Sequence, residues 1–153
     1  MPRWVQLLSR LPWWLLYGLS YFLVVLAHRV FGYRRGVIRR NLAASFPDLD
    51  ARGLRRVEKQ FLRNISEIIA ELIKASTISA EELRSRVTFR NLEVARKPLE
   101  SGQSVLILAA HCSNWEWLQL ALSEQLGFPL DAGYKPQKTA WSEQLLRAVR
   151  SRF

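Results

Sequence analysis

The stretch Ser104-Val105-Leu106-Ile107-Leu108-Ala109-Ala110-His111 decides how this chain is read. A short, continuous apolar run of this kind is expected of a strand buried on both faces, and here it ends in a histidine. A helix is predicted almost at once after His111, closed by Gly127, and Leu130 to Tyr134 gives a second strand candidate. Strand, helix and strand within about thirty residues make a βαβ unit. The predicted fold class is therefore α/β with a parallel sheet. Sites in such sheets lie beyond the carboxyl ends of the strands, which is where His111 falls.

Toward the N-terminus, Asn91 to Leu99 reads as a helix blemished by Pro98 and closed by Ser101-Gly102. Val87 to Arg90 is a weak strand candidate. Ser79-Ala80-Glu81-Glu82 has the spacing of a capping box and opens a short helix. A longer helix is predicted from about Ala51 to Ala75. Its residues Leu54, Val57, Phe61, Ile65, Ile68 and Leu72 recur every three or four positions, one helical face. Pro47 and Asp48 mark a stop and restart before it.

From Leu11 to Ala27 the chain reads LPWWLLYGLSYFLVVLA without one charge. As a helix this run spans ~25 Å, slightly short of a ~30 Å hydrocarbon core. Trp4, Trp13, Trp14, Tyr17 and Tyr21 crowd toward its beginning, like an interfacial aromatic belt. A cleaved signal peptide needs a small-residue cleavage site, but the run ends in Ala27-His28-Arg29-Val30. An ordinary buried helix is disfavoured by the density of Trp and the all-round apolarity. A membrane anchor, spanning or lying in the interface, fits best. Residues 1–31 are thus expected to form a membrane-anchor helix and 32–153 the α/β domain. Arg29, Arg34, Arg35, Arg39 and Arg40 follow the run, against Arg3 and Arg10 before it. For a spanning helix, that asymmetry puts the rest of the chain in the cytoplasm.

The 153 residues suffice for one domain with a hydrophobic core, and 49% apolar residues exclude a disordered tail. The net charge of +10 favours an anionic partner: a lipid headgroup, a nucleic acid or an acidic carrier protein. No aromatic-basic RNA motif and no paired Cys/His zinc spacing occur, so neither nucleic acid nor metal is expected. The single Cys112 forms no internal disulfide, which fits a reducing compartment.

His111 and Glu116 are the candidate chemical pair. On one continuous helix their side chains would point ~140° apart. The spacing works if His111 ends the strand, Ser113 is the N-cap, and Glu116 is the third helical residue. Ser113-Asn114-Trp115-Glu116 then also satisfies a capping box, so Glu116 has a purely structural reading, and His111 alone reads equally as a buried, hydrogen-bonded histidine. Together they suit proton transfer: a carboxylate beside an imidazole fixes its tautomer and stabilises the imidazolium. A helix N-terminus beside them could hold developing negative charge.

His-x-x-x-x-Glu after an apolar run, continued as Asn-Trp-Glu, resembles the late acyltransferases of lipid A biosynthesis, the lauroyl and myristoyl transferase group of the lysophospholipid acyltransferase superfamily. Arg34 to Arg40 followed by Asn41-Leu42 and Ser45-Phe46-Pro47, then Leu92 to Gly102, Tyr134-Lys135-Pro136 and Arg150-Ser151-Arg152-Phe153, are similar to further blocks of that family. Ala110, Cys112 and Ser113 depart from the usual Gly-His-Phe-Gly-Asn-Trp-Glu. The resemblance implies an acyltransferase domain over 32–153, apparently incomplete at its C-terminus. It implies transfer of a fatty acyl chain from acyl carrier protein to a hydroxyl of a membrane glycolipid, a lipid A precursor, at the cytoplasmic side of the bacterial inner membrane. His111 would be the general base and Glu116 its orienting partner, with no covalent acyl-enzyme on Cys112 and no cofactor. Arg150 would lie near donor or phosphate groups, with Asn114 and Lys135 also on the substrate side. Another lipid acceptor, such as a lysophospholipid or an ornithine-type lipid, and an inactive truncated membrane-binding fragment are the alternatives.

Overall fold

The computed structural model of the protein describes residues 2–153. Its helices are α1 (Arg3–Ser9), α2 (Trp13–Arg29), α3 (Arg35–Ser45), α4 (Ala51–Lys74), α5 (Ala80–Arg86), α6 (Glu93–Glu100), α7 (Trp115–Leu126) and α8 (Ala140–Arg150). Among the described residues there is no strand and no sheet. This corrects the α/β expectation. A strand is held by the backbone ladder of a neighbour, and neither 104–110 nor 130–134 meets one. Leu106 and Leu108 are 86% and 87% exposed, so the apolar run has no core to enter. The helix between the two expected strands does form, as α7, and Gly127 ends it at φ +72°.

The spanning anchor is also corrected. No described helix is long and apolar enough to cross a membrane. The uncharged run folds mostly into α2, 17 residues long, which buries Leu16, Ser20 and His28 and leaves Trp14 and Phe22 exposed. The buried polar groups already have protein partners. Ser20 Oγ donates to the Ser66 carbonyl at 2.7 Å, and His28 meets Glu58. A stripe committed to such bonds marks a helix packed on protein.

The chain divides into two compact units: residues 11–70, and residues 1–10 with 71–153. In the first, α4 buries Glu58, Leu62, Ser66 and Ala70, a row spaced by four. That row lies beside the expected stripe, whose Phe61 is 37% exposed. Two of the four buried residues, Ser66 and Ala70, are small, and the Ser66 carbonyl accepts the bond from Ser20 Oγ.

In the second unit α7 packs against α5 and α8. Leu83, Leu120, Ala121 and Val149 are fully buried there. Each large aliphatic side chain so buried contributes roughly 1.5–3 kcal/mol. Ser79 Oγ accepts the Glu82 N–H at 3.0 Å, so the expected N-cap of α5 is present. α6 carries Pro98 and is followed by Gly102 at φ +80°. The Arg152 guanidinium donates to the carbonyls of Ala75 and Ile78, just past the end of α4. Burial pushes the Arg152 pKa down.

Candidate active site

Of the residues singled out in the sequence, Asn114, Glu116 and Arg150 meet at the start of α7 and His111 lies just before it, all within the second unit; no bond brings Lys135 to them. Ser113 sits at φ +53°, a left-handed conformation that turns the chain sharply between His111 and the helix. The N-cap is Asn114, one residue later than expected: its Oδ1 accepts the Trp117 N–H at 3.0 Å. Glu116 is therefore the second helical residue and takes no part in a capping box. Asn114 Nδ2 donates to Glu71 Oε2 at 2.6 Å, and Trp117 Nε1 donates to the Glu71 carbonyl at 3.0 Å. Both ends of the Asn114 amide are thus engaged within the protein.

Glu116 is only 6% exposed, yet its partner is not His111. Arg150 grips it with two bonds, Nε to Oε2 at 2.8 Å and Nη2 to Oε1 at 2.5 Å. Trp115 Nε1 adds a third, to Oε1 at 3.2 Å. The fork geometry of guanidinium and carboxylate makes this a strong, directional pair. The bond to Glu116 holds the Arg150 pKa above its ordinary value, against the opposing effect of burial.

His111 is exposed and no hydrogen bond joins it to Glu116. Its ring lies against the Trp115 ring, with centroids 4.8 Å apart. Trp115 thus touches both members of the motif, the histidine through a tilted ring contact and the carboxylate with its N–H. Cys112, beside His111, is an exposed free thiol.

The Arg150 guanidinium also stacks over the Tyr134 ring, 4.8 Å from its centroid. Tyr134 OH donates to Glu143 Oε1 at 2.7 Å, and the Gln137 N–H donates to Glu143 Oε2 at 2.9 Å. Arg147 Nε completes the set on Glu143 at 2.6 Å. The Gln137 N–H, the Tyr134 hydroxyl and Arg147 together hold the Glu143 carboxyl at about 2. Lys135 is exposed, next in the chain to the tyrosine under Arg150. Among the described residues no group of acidic, His and Cys side chains could hold a metal.

Sequence reasoning selected His111, Glu116, Asn114, Lys135 and Arg150 but missed Trp115, Tyr134, Glu71 and Glu143 as members of this network. Trp115 and Tyr134 lay inside blocks quoted for the resemblance, and an indole or phenol beside charged groups is a usable signal. Glu71 gave none, because its partners Asn114 and Trp117 are distant in sequence, whereas the Glu143–Arg147 spacing of four on one helix was a usable signal.

With this geometry in place, the comparisons give the class. The family model described as bacterial lipid A biosynthesis acyltransferase matches residues 4–153. The chain belongs to that family, and so to the acyltransferases of lipid A biosynthesis. Searches of the curated proteins and of the solved structures give no match.

Proposed function

We propose that this acyltransferase takes a fatty acyl chain from the thioester of acyl carrier protein and places it on a hydroxyl of a phosphorylated glycolipid, a lipid A precursor, at the cytoplasmic face of the bacterial inner membrane. The observation that carries the reading is His111: exposed, without a hydrogen-bond partner, and set at the mouth of α7 in a chain that matches the family over 4–153. An exposed imidazole can meet a lipid hydroxyl. It takes the hydroxyl proton as the oxygen attacks the thioester carbonyl, and the tetrahedral intermediate then collapses. The C–S bond breaks, and the proton passes from the imidazolium to the departing thiolate. The N-terminus of α7 supplies positive potential for the oxyanion. Glu116, fixed by Arg150, places a carboxylate behind Trp115. A basic chain of +10 complements an acidic carrier protein.

The test is acyl transfer from labelled acyl carrier protein to a lipid A precursor, with products read by mass spectrometry. A product heavier by one acyl chain supports the reading. Transfer only to a lysophospholipid or an ornithine-type lipid would replace the acceptor. The solvent-facing Leu106 and Leu108 favour a second reading, in which the 153-residue chain binds lipid but does not turn over by itself. Binding without product selects it.

A further inference from the structure

Within residues 11–70, a hollow of about 310 Å³ is lined by His28, Arg29, Arg35, Arg39, Arg55 and Glu58. Three helices deliver these groups. His28 and Arg29 end α2, Arg35 and Arg39 lie one turn apart on α3, and Arg55 and Glu58 lie three apart on α4. Four guanidiniums therefore face one carboxylate. His28 Nε2 and Arg39 Nε both bond Glu58 Oε1, at 2.8 and 3.0 Å. Burial pushes the Glu58 carboxyl up, but the bonds from Arg39 and His28 outweigh it and hold the pKa below its usual value. Glu58 is thus an anionic strut that orients Arg39 and the buried His28, whose Nδ1 has no partner. No ion pair among the described residues holds Arg29, Arg35 or Arg55.

Like charges gathered round a hollow repel one another unless an anion joins them. Arginine forks match the tetrahedral oxygens of a phosphate, and the volume suits a small headgroup. We propose that this hollow binds a phosphomonoester group, with Arg29, Arg35 and Arg55 as its direct donors and Glu58 as the strut behind them. Two sources share that chemistry, the headgroup of an anionic lipid and free inorganic phosphate. The lipid source is favoured by the turn between Arg29 and Arg35, where Val30, Phe31 and Tyr33 are 68%, 76% and 63% exposed. An apolar rim beside a basic hollow suits a headgroup whose chains continue into a bilayer. The site stands apart from the acyl-transfer reading, since its readout is binding and its variants leave His111 untouched.

The experiment uses the full chain and three vesicle types: phosphatidylcholine alone, phosphatidylcholine with phosphatidic acid, and phosphatidylcholine with a carboxylate-headed lipid at matched surface charge. Flotation is run at physiological ionic strength, where the screening length is about 8 Å. Calorimetric titration with inorganic phosphate runs in parallel. We expect binding to phosphatidic acid vesicles to exceed binding to the carboxylate vesicles. The double variant Arg35→Ala/Arg55→Ala should lower it by about 10-fold or more, the scale of lost charge-assisted bonds. Arg52→Ala/Arg56→Ala, which removes the same charge from exposed positions of α4 outside the hollow, should change it little. Arg35→Lys/Arg55→Lys keeps the charge without the fork and should fall between, which guards against a folding defect of the alanine pair. Inorganic phosphate binding that is lost in Arg35→Ala/Arg55→Ala, with no vesicle preference, keeps the phosphate site and assigns it to the free ion. Equal losses from the two alanine pairs, or equal binding to both charged vesicle types with no phosphate binding, overturn the proposal.

Discussion

Arg150 closes on both carboxylate oxygens of Glu116, so the motif carboxylate rests in an ion pair with α8 and makes no hydrogen bond to the histidine five positions before it. The pair joins two helices of one unit at a nearly dry point, with the Glu116 and Arg150 side chains 7% and 18% exposed.

Glu116→Gln leaves Arg150 with a charge that is no longer balanced in a poorly solvated place. We expect a loss of about 3 kcal/mol in stability, the scale of breaking a buried pair from one side. As a simple helix cap the same change would be nearly silent. Denaturant titrations of Glu116→Gln, Arg150→Gln and the double variant measure the pairing directly. Coupling of roughly 1–3 kcal/mol is expected, and additive losses would show that the fork contributes no stability.

His111→Ala should separate chemistry from folding. The side chain is exposed and makes no hydrogen bond, so the thermal melt should stay with the wild type. Acyl transfer in an active form of the enzyme should fall by ~10²–10⁴-fold, the usual contribution of a general base. Near-normal turnover would remove the histidine from the chemistry.

Glu143 gives a pH signature. Its folded pKa, about 2, is below the ordinary 4.5. A depressed carboxyl contributes stability that is fully present above about 4.5 and lost as pH falls through about 2. The advantage of the wild type over Glu143→Gln should therefore be constant from neutral pH to about 5 and vanish as pH approaches 2. An advantage that persists at pH 2 would mean the carboxylate is not what ties Tyr134 and Gln137 to α8.

Leu120→Ala and Leu106→Ala form a matched contrast. Leu120 is fully buried in α7, and its truncation should cost roughly 2–5 kcal/mol. Leu106 is 86% exposed, and the same change should stay within about 0.5 kcal/mol of wild type. A large loss at Leu106 would restore the buried strand expected from the sequence.

The helices were legible wherever local signals agreed. The extent of α4, the Ser79 cap and the Gly127 stop each depend on neighbours a few positions away, and each appears at its place, whereas the buried face of α4 is offset from its expected stripe. The strands were not, because an apolar run states only that a segment suits burial. Whether it is buried depends on a ladder partner, which 104–110 does not meet. The same limit hid the real partner of Glu116. The spacing suggested a pairing with His111, whereas Arg150 reaches it across thirty-four positions through the packing of α7 on α8. The offset of the N-cap from Ser113 to Asn114 followed from the left-handed turn at Ser113, which propensity alone does not announce.

That turn stores strain next to the start of α7. Glycine is the residue that enters left-handed space at no steric cost. Here a serine holds φ +53° at a cost of roughly 1–2 kcal/mol, and the bend survives. The Asn114 cap and its bond to Glu71 hold the bend from the helix side. Ser113→Gly should therefore stabilise the protein while keeping the corner beside His111.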